Sequence, residues 1–570
     1  MSARLRWLVV PALLLILGLA AGLPRGSVQA DGPVTERVLT GTVHDRQGQL
    51  VEGAQISLRA GGDQELLVQA TTQADGRYTL PLPAELPEKL VLHVERTHFE
   101  ETEVELQSAA VRGLEGGEAV VLPDTVLARH VGPAFWVATL IFVGVLALIA
   151  TGVLHNTLAA LAGATLVLAV SHFSHVAYEG LFIFDFGRAL RYVDWNVIFL
   201  IMGMMIVIAV VERTGIFQWL AFMAFRISGG RMWLLVPILM LVTGVGSAFL
   251  DNVTTMLLMT PITIQIAMAL GISPLALLMP EVMASNVAGV STLVGTPTNI
   301  LIGSYAGISF NDFLANLTPG VVLALVGLVL YSELAYRKEL RAAEAASDVL
   351  LERLAERAHI TQPDHLKKAG WVGAGMLFLF VFGERFHLLP AVTALIGATA
   401  LLLWIQPDIE EMIEAVDWTT LVFFIALFIV VGAIQEVGLI SIIADAIGRW
   451  VGGSLILAML AVVWLGALLS TVVANIPFTA AMLPVIGYLT SIVPGAHGNA
   501  LYYCLSVGSG MGGNGSLIGA SANMVTAGIA ERAGYPITYV YFLKKGAPAL
   551  LLTVGLASGW LLLRFLVLSG

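Results

Sequence analysis

The chain has 570 residues, of which 57% are hydrophobic and only 12% charged, with a mean hydropathy of +0.86. Soluble domains are about one quarter charged, so this composition excludes an ordinary soluble enzyme and fits an integral membrane protein. The net charge of −11 comes with no basic stripe that would suit nucleic acid, and the single cysteine, Cys504, excludes an internal disulfide or a thiolate metal cluster.

Residues 1–30 have the build of a secretory signal. Arg4 and Arg6 form a positive start, Trp7 to Leu23 an apolar run, and Val28-Gln29-Ala30 a small-residue cleavage site. The other reading is an uncleaved anchor. Both send residues 34–128 across the membrane. There the composition turns polar, with alternating strands at Val38–Val43, Ala54–Leu58, Tyr78–Leu80, Val91–Val94 and Val104–Leu106 and turn signals at Asp45–Gly48 and Asp75-Gly76. Strands at this spacing predict a small β-sandwich. His44, His93 and His98 lack ligand spacing and read as core or solvated histidines.

From residue 133 onward the fold class is an all-α polytopic membrane protein. Apolar runs occur at Phe135–Val153, Thr157–Val170 (short), Trp195–Val211, Leu275–Ser304 (broken) and Leu317–Tyr336. Trp233–Leu270 has two apolar arms around a polar centre and reads as a re-entrant hairpin. A charged connector, residues 338–369, follows and is placed in the cytoplasm by its Arg and Lys. Residues 370–570 repeat the plan, with spans at Trp371–Phe382, Leu389–Ile405, Trp418–Ile434, Tyr502–Thr526 (broken) and Ala547–Val567, and a hairpin at Leu455–Leu489.

The repeat is visible residue by residue. Val193-Asp194-Trp195 matches Val416-Asp417-Trp418, Asn252 matches Asn475, Pro261 matches Pro484, Gly295 matches Gly519 and Asn299 matches Asn523, all 223 or 224 residues apart. Matched Asn, Pro and Gly are not explained by apolar bias. Five spans per half is odd, so residues 133–337 and 370–570 are expected to insert as inverted repeats, each with its own hairpin. Glu212 and Glu436 fall at span ends and read as solvated.

Broken helix at membrane depth survives only where protein or a water-filled cavity covers it. The two hairpin tips and the two broken spans are therefore expected to meet in one central site. Its candidate residues are Ser247, Asp251, Asn252 and Thr255 at the first tip, and Ser470, Asn475 and Thr479 at the second. The first broken span contributes Ser285, Asn286, Gly289, Gly295, Thr296 and Asn299. The second contributes Gly513, Asn514, Ser516, Gly519, Ser521 and Asn523. Freed carbonyls can hold a cation there, helix N-termini can hold an anion, and Asn, Ser and Thr supply donors and acceptors without permanent charge. Asn252 and Asn475 are candidate Na⁺ ligands. Asp251, whose repeat partner is Ala474, and Glu281 are candidate proton carriers. Neither the tips nor the broken spans at the site contain Arg or Lys.

The pattern Leu250-Asp251-Asn252-x-x-Thr255, Glu281-x-x-x-Ser285-Asn286-x-x-Gly289 and Gly295-x-Pro297-x-Asn299 resembles the ion transporter superfamily, citrate transporter-like. Within it, Asn475-Ile476-Pro477-Phe478-Thr479 and Gly512 to Asn523 are similar to the branch of arsenical pumps, NhaD-type Na⁺/H⁺ antiporters and the melanosomal P-protein. The resemblance covers residues 130–570. It implies a homodimer in which a transport part moves against a scaffold. Dicarboxylate carriers of the superfamily have Ser-Asn-Thr at both tips, where this chain has Asp-Asn-Val and Ala-Asn-Ile. Within residues 34–128, Gly41-x-Val43, Gly48, Gly53-Ala54-x-Ile56 and Thr72 to Asp75-Gly76-Arg77-Tyr78 resemble the carboxypeptidase regulatory-like domain, over about 70 residues. The expected function is a secondary transporter, not an enzyme, of a small ion or solute coupled to Na⁺ or H⁺, in a bacterial-type inner membrane. No cofactor is expected beyond Na⁺ as coupling ion. A Na⁺/H⁺ antiporter, an arsenite or organic-anion permease, and a membrane-anchored ligand sensor are the alternatives.

Overall fold

The computed structural model describes residues 38–341 and 359–568, apart from 47, 49, 61–64, 84, 85, 88, 107–110, 112, 113, 115–118 and 497. The expected signal, residues 1–30, and most of the connector lie outside the described residues. The chain divides into two compact units, Met1–Ala128 and Arg129–Gly570.

The first unit is built of two sheets. Strand β1 (Val38–Asp45) buries every second side chain and pairs antiparallel with β4 (Arg77–Pro81) and parallel with β7 (Val120–Val121) and β8 (Thr125–Leu127). The second sheet runs β3 (Leu66–Thr71), β2 (Gln55–Ala60), β5 (Leu90–Glu95), β6 (Thr102–Glu105), antiparallel throughout. Leu39, Val43, Ile56, Leu58, Tyr78, Leu80 and Leu92 fill a common apolar core. The alternation that predicted the strands is the alternation of buried and open faces. Strand β3 was not anticipated, because its side chains are half-open on both faces and lack the period-two signal. His93 is buried, with Glu95, Glu101 and Glu103 at 3.5 to 3.9 Å.

The second unit is helical. Its first half contains α1 (Pro133–Thr151), α2 (Asn156–Ala177), α3 (Phe186–Arg191), α4 (Trp195–Glu212), α5 (Ile216–Ser228), α6 (Met232–Phe249), α7 (Asn252–Ala269), α8 (Leu275–Gly289), α9 (Pro297–Ala306) and α10 (Phe310–Ala335). After α11 (Arg337–Arg341) the same order returns as α12 (Pro363–Phe382), α13 (Pro390–Ile405), α14 (Ile409–Glu414), α15 (Trp418–Glu436), α16 (Leu439–Val451), α17 (Leu455–Ser470), α18 (Asn475–Ile492), α19 (Ala500–Gly512), α20 (Ser521–Arg532) and α21 (Tyr539–Leu562). Ten helices among the described residues are long and apolar enough to cross a membrane. The run read as short at Thr157–Val170 belongs to a 22-residue helix, extended at its C-terminal end past the polar Ser171, His172 and Ser174.

The repeated Val-Asp-Trp is a helix start. Asp194 accepts from the backbone N–H of Asn196 and Val197, and Asp417 from that of Thr420. A carboxylate there meets otherwise unpaired N–H groups and the positive end of the helix dipole. The amphipathic α5 and α16 were not anticipated. Each is bracketed by glycines in left-handed backbone, Gly215 and Gly229 in one half and Gly438 and Gly452 in the other, which turn the chain sharply at both ends of a short helix. Glu436 is not solvated as expected. It is buried, with Arg188 at 3.3 Å and Tyr192 hydrogen-bonded to it, because α15 ends against α3 rather than in water.

Candidate functional site

Both broken spans break where glycine and proline predict. Helix α8 stops at Gly289 and α9 begins at Pro297; α19 stops at Gly512 and α20 begins at Ser521. Asparagines tie off the carbonyls freed by each break. Asn299 donates to the carbonyls of Val290 (3.0 Å) and Thr292 (2.7 Å). Asn523 donates to those of Gly513 (2.7 Å) and Ser516 (2.9 Å). Thr292 donates to the Ala248 carbonyl at the first tip, and its counterpart Ser516 to the Thr471 carbonyl at the second. Ser247 donates to the Ser285 carbonyl at 3.0 Å, and Ser470 to the Ser509 carbonyl at 2.9 Å. Ser285 donates in turn to the Ser247 hydroxyl at 3.0 Å. Apart from that last hydroxyl bond, whose repeat equivalent Ser509 Oγ is buried without a partner, each of these bonds has its counterpart about 223 residues away in the other half.

Gly295 and Gly519 sit where a tip meets an unwound segment. A Cβ on Gly295 would stand 2.5 Å from the Gly289 carbonyl oxygen and 2.9 Å from that of Ser247. On Gly519 it would stand 3.0 Å from the Gly513 oxygen and 3.1 Å from that of Ser470. These glycines, with Gly289 and Gly513, serve close backbone approach. Thr296 caps α9 by accepting from the Asn299 N–H, and Thr255 and Thr479 bond back to the carbonyls of Asp251 and Asn475.

The halves join at Asn286. Its amide nitrogen donates to Asn514 Oδ1 and Asn523 Oδ1, both at 3.0 Å, and its Oδ1 accepts from Asn252 at 3.1 Å. Ser506 donates to Asn299 Oδ1 at 2.5 Å, a further bond between halves. Sequence reasoning missed Ser506, which has no partner in the repeat and no motif around it. Around the network Ser247, Thr255, Ser285, Asn286, Thr296, Asn299, Ser470, Thr479, Asn514 and Asn523 are fully buried. Two amide groups are left over. Asn252 Oδ1 is buried without a partner, and the nearly buried Asn475 side chain makes no hydrogen bond among the described residues.

Beside the tips lies a cavity of about 590 Å³. Asp251, Val253 and Thr254 line it from the first tip, Ile476 from the second, and Val294, Pro297 and Ser521 from the breaks. It reaches the ends of α2, α4 and α15 through His155, Glu212 and Asp417. No Arg or Lys lines it among the described residues, so its formal charge is negative throughout.

The two candidate proton carriers differ. Asp251 is the N-cap of α7: its Oδ1 accepts from the Val253 and Thr254 N–H groups at 2.7 and 3.0 Å, and its Oδ2 from the Thr254 hydroxyl at 2.5 Å. It nevertheless faces the cavity. Glu281 is fully buried in α8, between the hairpin arms. Its Oε1 accepts from Thr263 (3.1 Å) and Thr243 (3.4 Å), while Oε2 has no partner. No cationic side chain is within ion-pair distance among the described residues. A carboxylate alone in such a place is costly unless it takes a proton or a cation.

Comparison with known proteins places these residues in context. The pattern of the family described as citrate transporter matches residues 146–508, and that of the carboxypeptidase regulatory-like domain matches residues 38–115. An uncharacterized transporter of Mycobacterium tuberculosis is 36% identical over 433 residues, 76% of this chain and 99% of the relative. The human P protein is 33% identical over 513 residues, 76% of this chain and 60% of its own length. Among solved structures, the YdaH transporter of Alcanivorax borkumensis matches with a TM-score of 0.49 at 15% identity, over 72% of this chain and 98% of that one.

Proposed function

The chain belongs to the citrate transporter family and is a multi-pass membrane transporter, and from that premise we propose that it moves a small cation, or a solute neutralised by cations, in exchange for or together with H⁺ or Na⁺. The observation that carries this reading is the cavity at the hairpin tips, whose ionisable lining is acidic and histidine only. Asn252 Oδ1 and the Asn475 amide are the open ligands beside it, and Asn252 and Asn475 are the proposed Na⁺ contacts. Asp251 draws cations to the tip, and Glu281 carries the proton between the hairpin arms that clamp it. A free organic anion would have to arrive protonated or cation-bound, since helix N-termini, those of α9, α18 and α20, are what offers it positive potential there.

We infer alternating access of the elevator type. The polar tip residues Ser247, Asn252, Ser470 and Asn475 are buried, which supports re-entrant hairpins covered by protein, and the doubled helical order supports two oppositely inserted halves. With residues 338–369 cytoplasmic and the β-domain outside, the cavity opens toward the cytoplasm, and the hairpins and broken spans form the part that moves against α1–α4 and α12–α15. A homodimer held by the static part, in a bacterial-type inner membrane, completes the proposal.

The test is flux. Full-length protein in proteoliposomes is challenged with Na⁺ and pH gradients and with di- and tricarboxylates and arsenite, with and without divalent cations. The proposal expects solute movement that depends on a cation gradient. Uptake of a free, fully ionised tricarboxylate with no cation dependence would overturn it.

A further inference from the structure

A second cavity, of about 510 Å³, lies at the other end of the helical unit. It is lined by Asp312 and Asn316 from the start of α10, Gly495, Gly498 and Asn499 from the connection between α18 and α19, Tyr503 from α19, and Arg564 and Phe565 just beyond α21. The start of α10, the end of α21 and an interhelix connection meet there, and the ends of helices long enough to span a bilayer fall at the level of the lipid headgroups. Arg564 stands in a turn of π-helix, Leu563–Val567, a form that recurs at functional sites.

The polar groups sort by chemistry. The Asn316 side chain is buried, and its nitrogen donates to the Asp312 carbonyl (2.9 Å) and to the Tyr503 hydroxyl oxygen (3.2 Å). A carbonyl only accepts, so the amide orientation is fixed, and Oδ1 is left buried with no donor. The Tyr503 oxygen accepts from Asn316, which leaves its own O–H to donate. Its ring is held by Phe565, stacked at 5.5 Å, and by Phe313, edge-on at 5.8 Å. Asp312 and Arg564 share the cavity, yet neither makes an ion pair among the described residues. Asp312 Oδ2 accepts from the Ser309 hydroxyl at 2.8 Å, which leaves Oδ1 open. The cavity therefore presents acceptors for an ammonium, Asn316 Oδ1 and Asp312 Oδ1, beside donors for an anion, the Tyr503 O–H and the Arg564 guanidinium.

We propose that the cavity lined by Asp312, Asn316, Tyr503 and Arg564 binds a zwitterion that joins a primary ammonium to a phosphate, as in the phosphoethanolamine headgroup of a membrane lipid. The phosphate takes the guanidinium and the phenol, a charge-assisted pairing suited to Arg. The ammonium N–H groups satisfy Asn316 and Asp312. A choline headgroup carries the same charge but has no N–H to give, so the site separates the two lipids by hydrogen bonding. Headgroup sites between helix ends follow this logic.

The test compares full-length protein in nanodiscs of pure phosphatidylcholine with discs in which half is phosphatidylethanolamine. The readouts are the unfolding midpoint and lipid retained in native mass spectrometry. Wild type is expected to unfold a few degrees higher with ethanolamine lipid and to keep it as an adduct. Arg564→Gln and Asp312→Asn should each lose that gain. Should Arg564→Gln be unstable in choline lipid alone, Arg564→Lys keeps the charge and must recover the ethanolamine gain. A gain produced by soluble phosphoethanolamine in choline discs, and absent in Arg564→Gln, keeps the site and assigns it to a free zwitterion. Equal midpoints in both lipids with no effect of soluble phosphoethanolamine, or a gain that survives Arg564→Gln, overturns the proposal.

Discussion

Asp251 combines a capping bond with a negative charge at the cavity, and substitution can separate the two. Asparagine caps a helix about as well as aspartate, so Asp251→Asn should leave the unfolding midpoint nearly unchanged while lowering cation-coupled flux. Asp251→Ala should also cost about 1 kcal/mol of stability through the lost cap. Equal flux in wild type and Asp251→Asn would reduce Asp251 to a cap. Glu281→Gln keeps the Thr243 and Thr263 bonds but can no longer exchange a proton. It should abolish proton movement measured with a pH-sensitive dye, and unchanged proton flux would remove Glu281 from the mechanism. In the β-domain, burial pushes the Tyr78 phenol up to about 12. Folding favours its neutral form, so this contribution to stability is full below the ordinary value of 10 and is lost as pH rises through about 12. The difference between near-ultraviolet tyrosinate titrations of folded wild type and folded Tyr78→Phe should be an absorbance step lying well above pH 10. A step removed by Tyr78→Phe that lies near 10 would show that burial does not hold this phenol neutral.

Hairpin tips and broken helices were legible in the sequence because they violate the composition around them. Asn, Ser, Gly and Pro are conspicuous in a run of Leu and Val, and a repeated register tied Gly295 to Gly519 and Asn299 to Asn523 before any contact was known. What those residues do was less legible. Gly295 and Gly519 allow backbone to meet backbone, and their Cβ-bearing replacements would strike carbonyl oxygens. Gly295→Ala and Gly519→Ala should each destabilise by roughly 1–3 kcal/mol and impair transport, the mark of an overpacked contact. Wild-type flux and midpoint in both would show that the tips can shift to make room. Helices α5 and α16 escaped notice because an amphipathic helix too short to span gives no long apolar run. Glu436 was read as solvated because a span end usually meets water, and nothing near it in sequence announces Arg188, 248 residues earlier.

Sidedness ties the two halves together. His155 and Asp417 both line the cavity at the tips, so in a Cys504→Ala background single cysteines at His155→Cys and Asp417→Cys should react with an impermeant thiol reagent from the same face as Lys338→Cys. Labelling of those two from opposite faces would rule out the inverted arrangement. The Mycobacterium tuberculosis relative aligns over 99% of its length to 76% of this chain, about the size of the helical unit. A chain reduced to residues 129–570 behind an independent signal should therefore insert and carry flux. If it folds and inserts but does not transport, the β-domain belongs to the transport cycle.

The sequence by itself determined the membrane class, the two-domain plan, the doubled helical order and the four segments of the candidate site. Those properties follow from composition and periodicity, which act along the chain and are fixed by the cost of exposing backbone to lipid. Only the tertiary structure decided which polar groups remain open. Asn286 is consumed by bonds to both halves and Asp251 by its own helix, whereas Glu281 Oε2, Asn252 Oδ1 and Asn316 Oδ1 are left without partners. A hydrogen bond forms or fails by where groups from distant segments come to rest, and one chain read in order does not carry those distances.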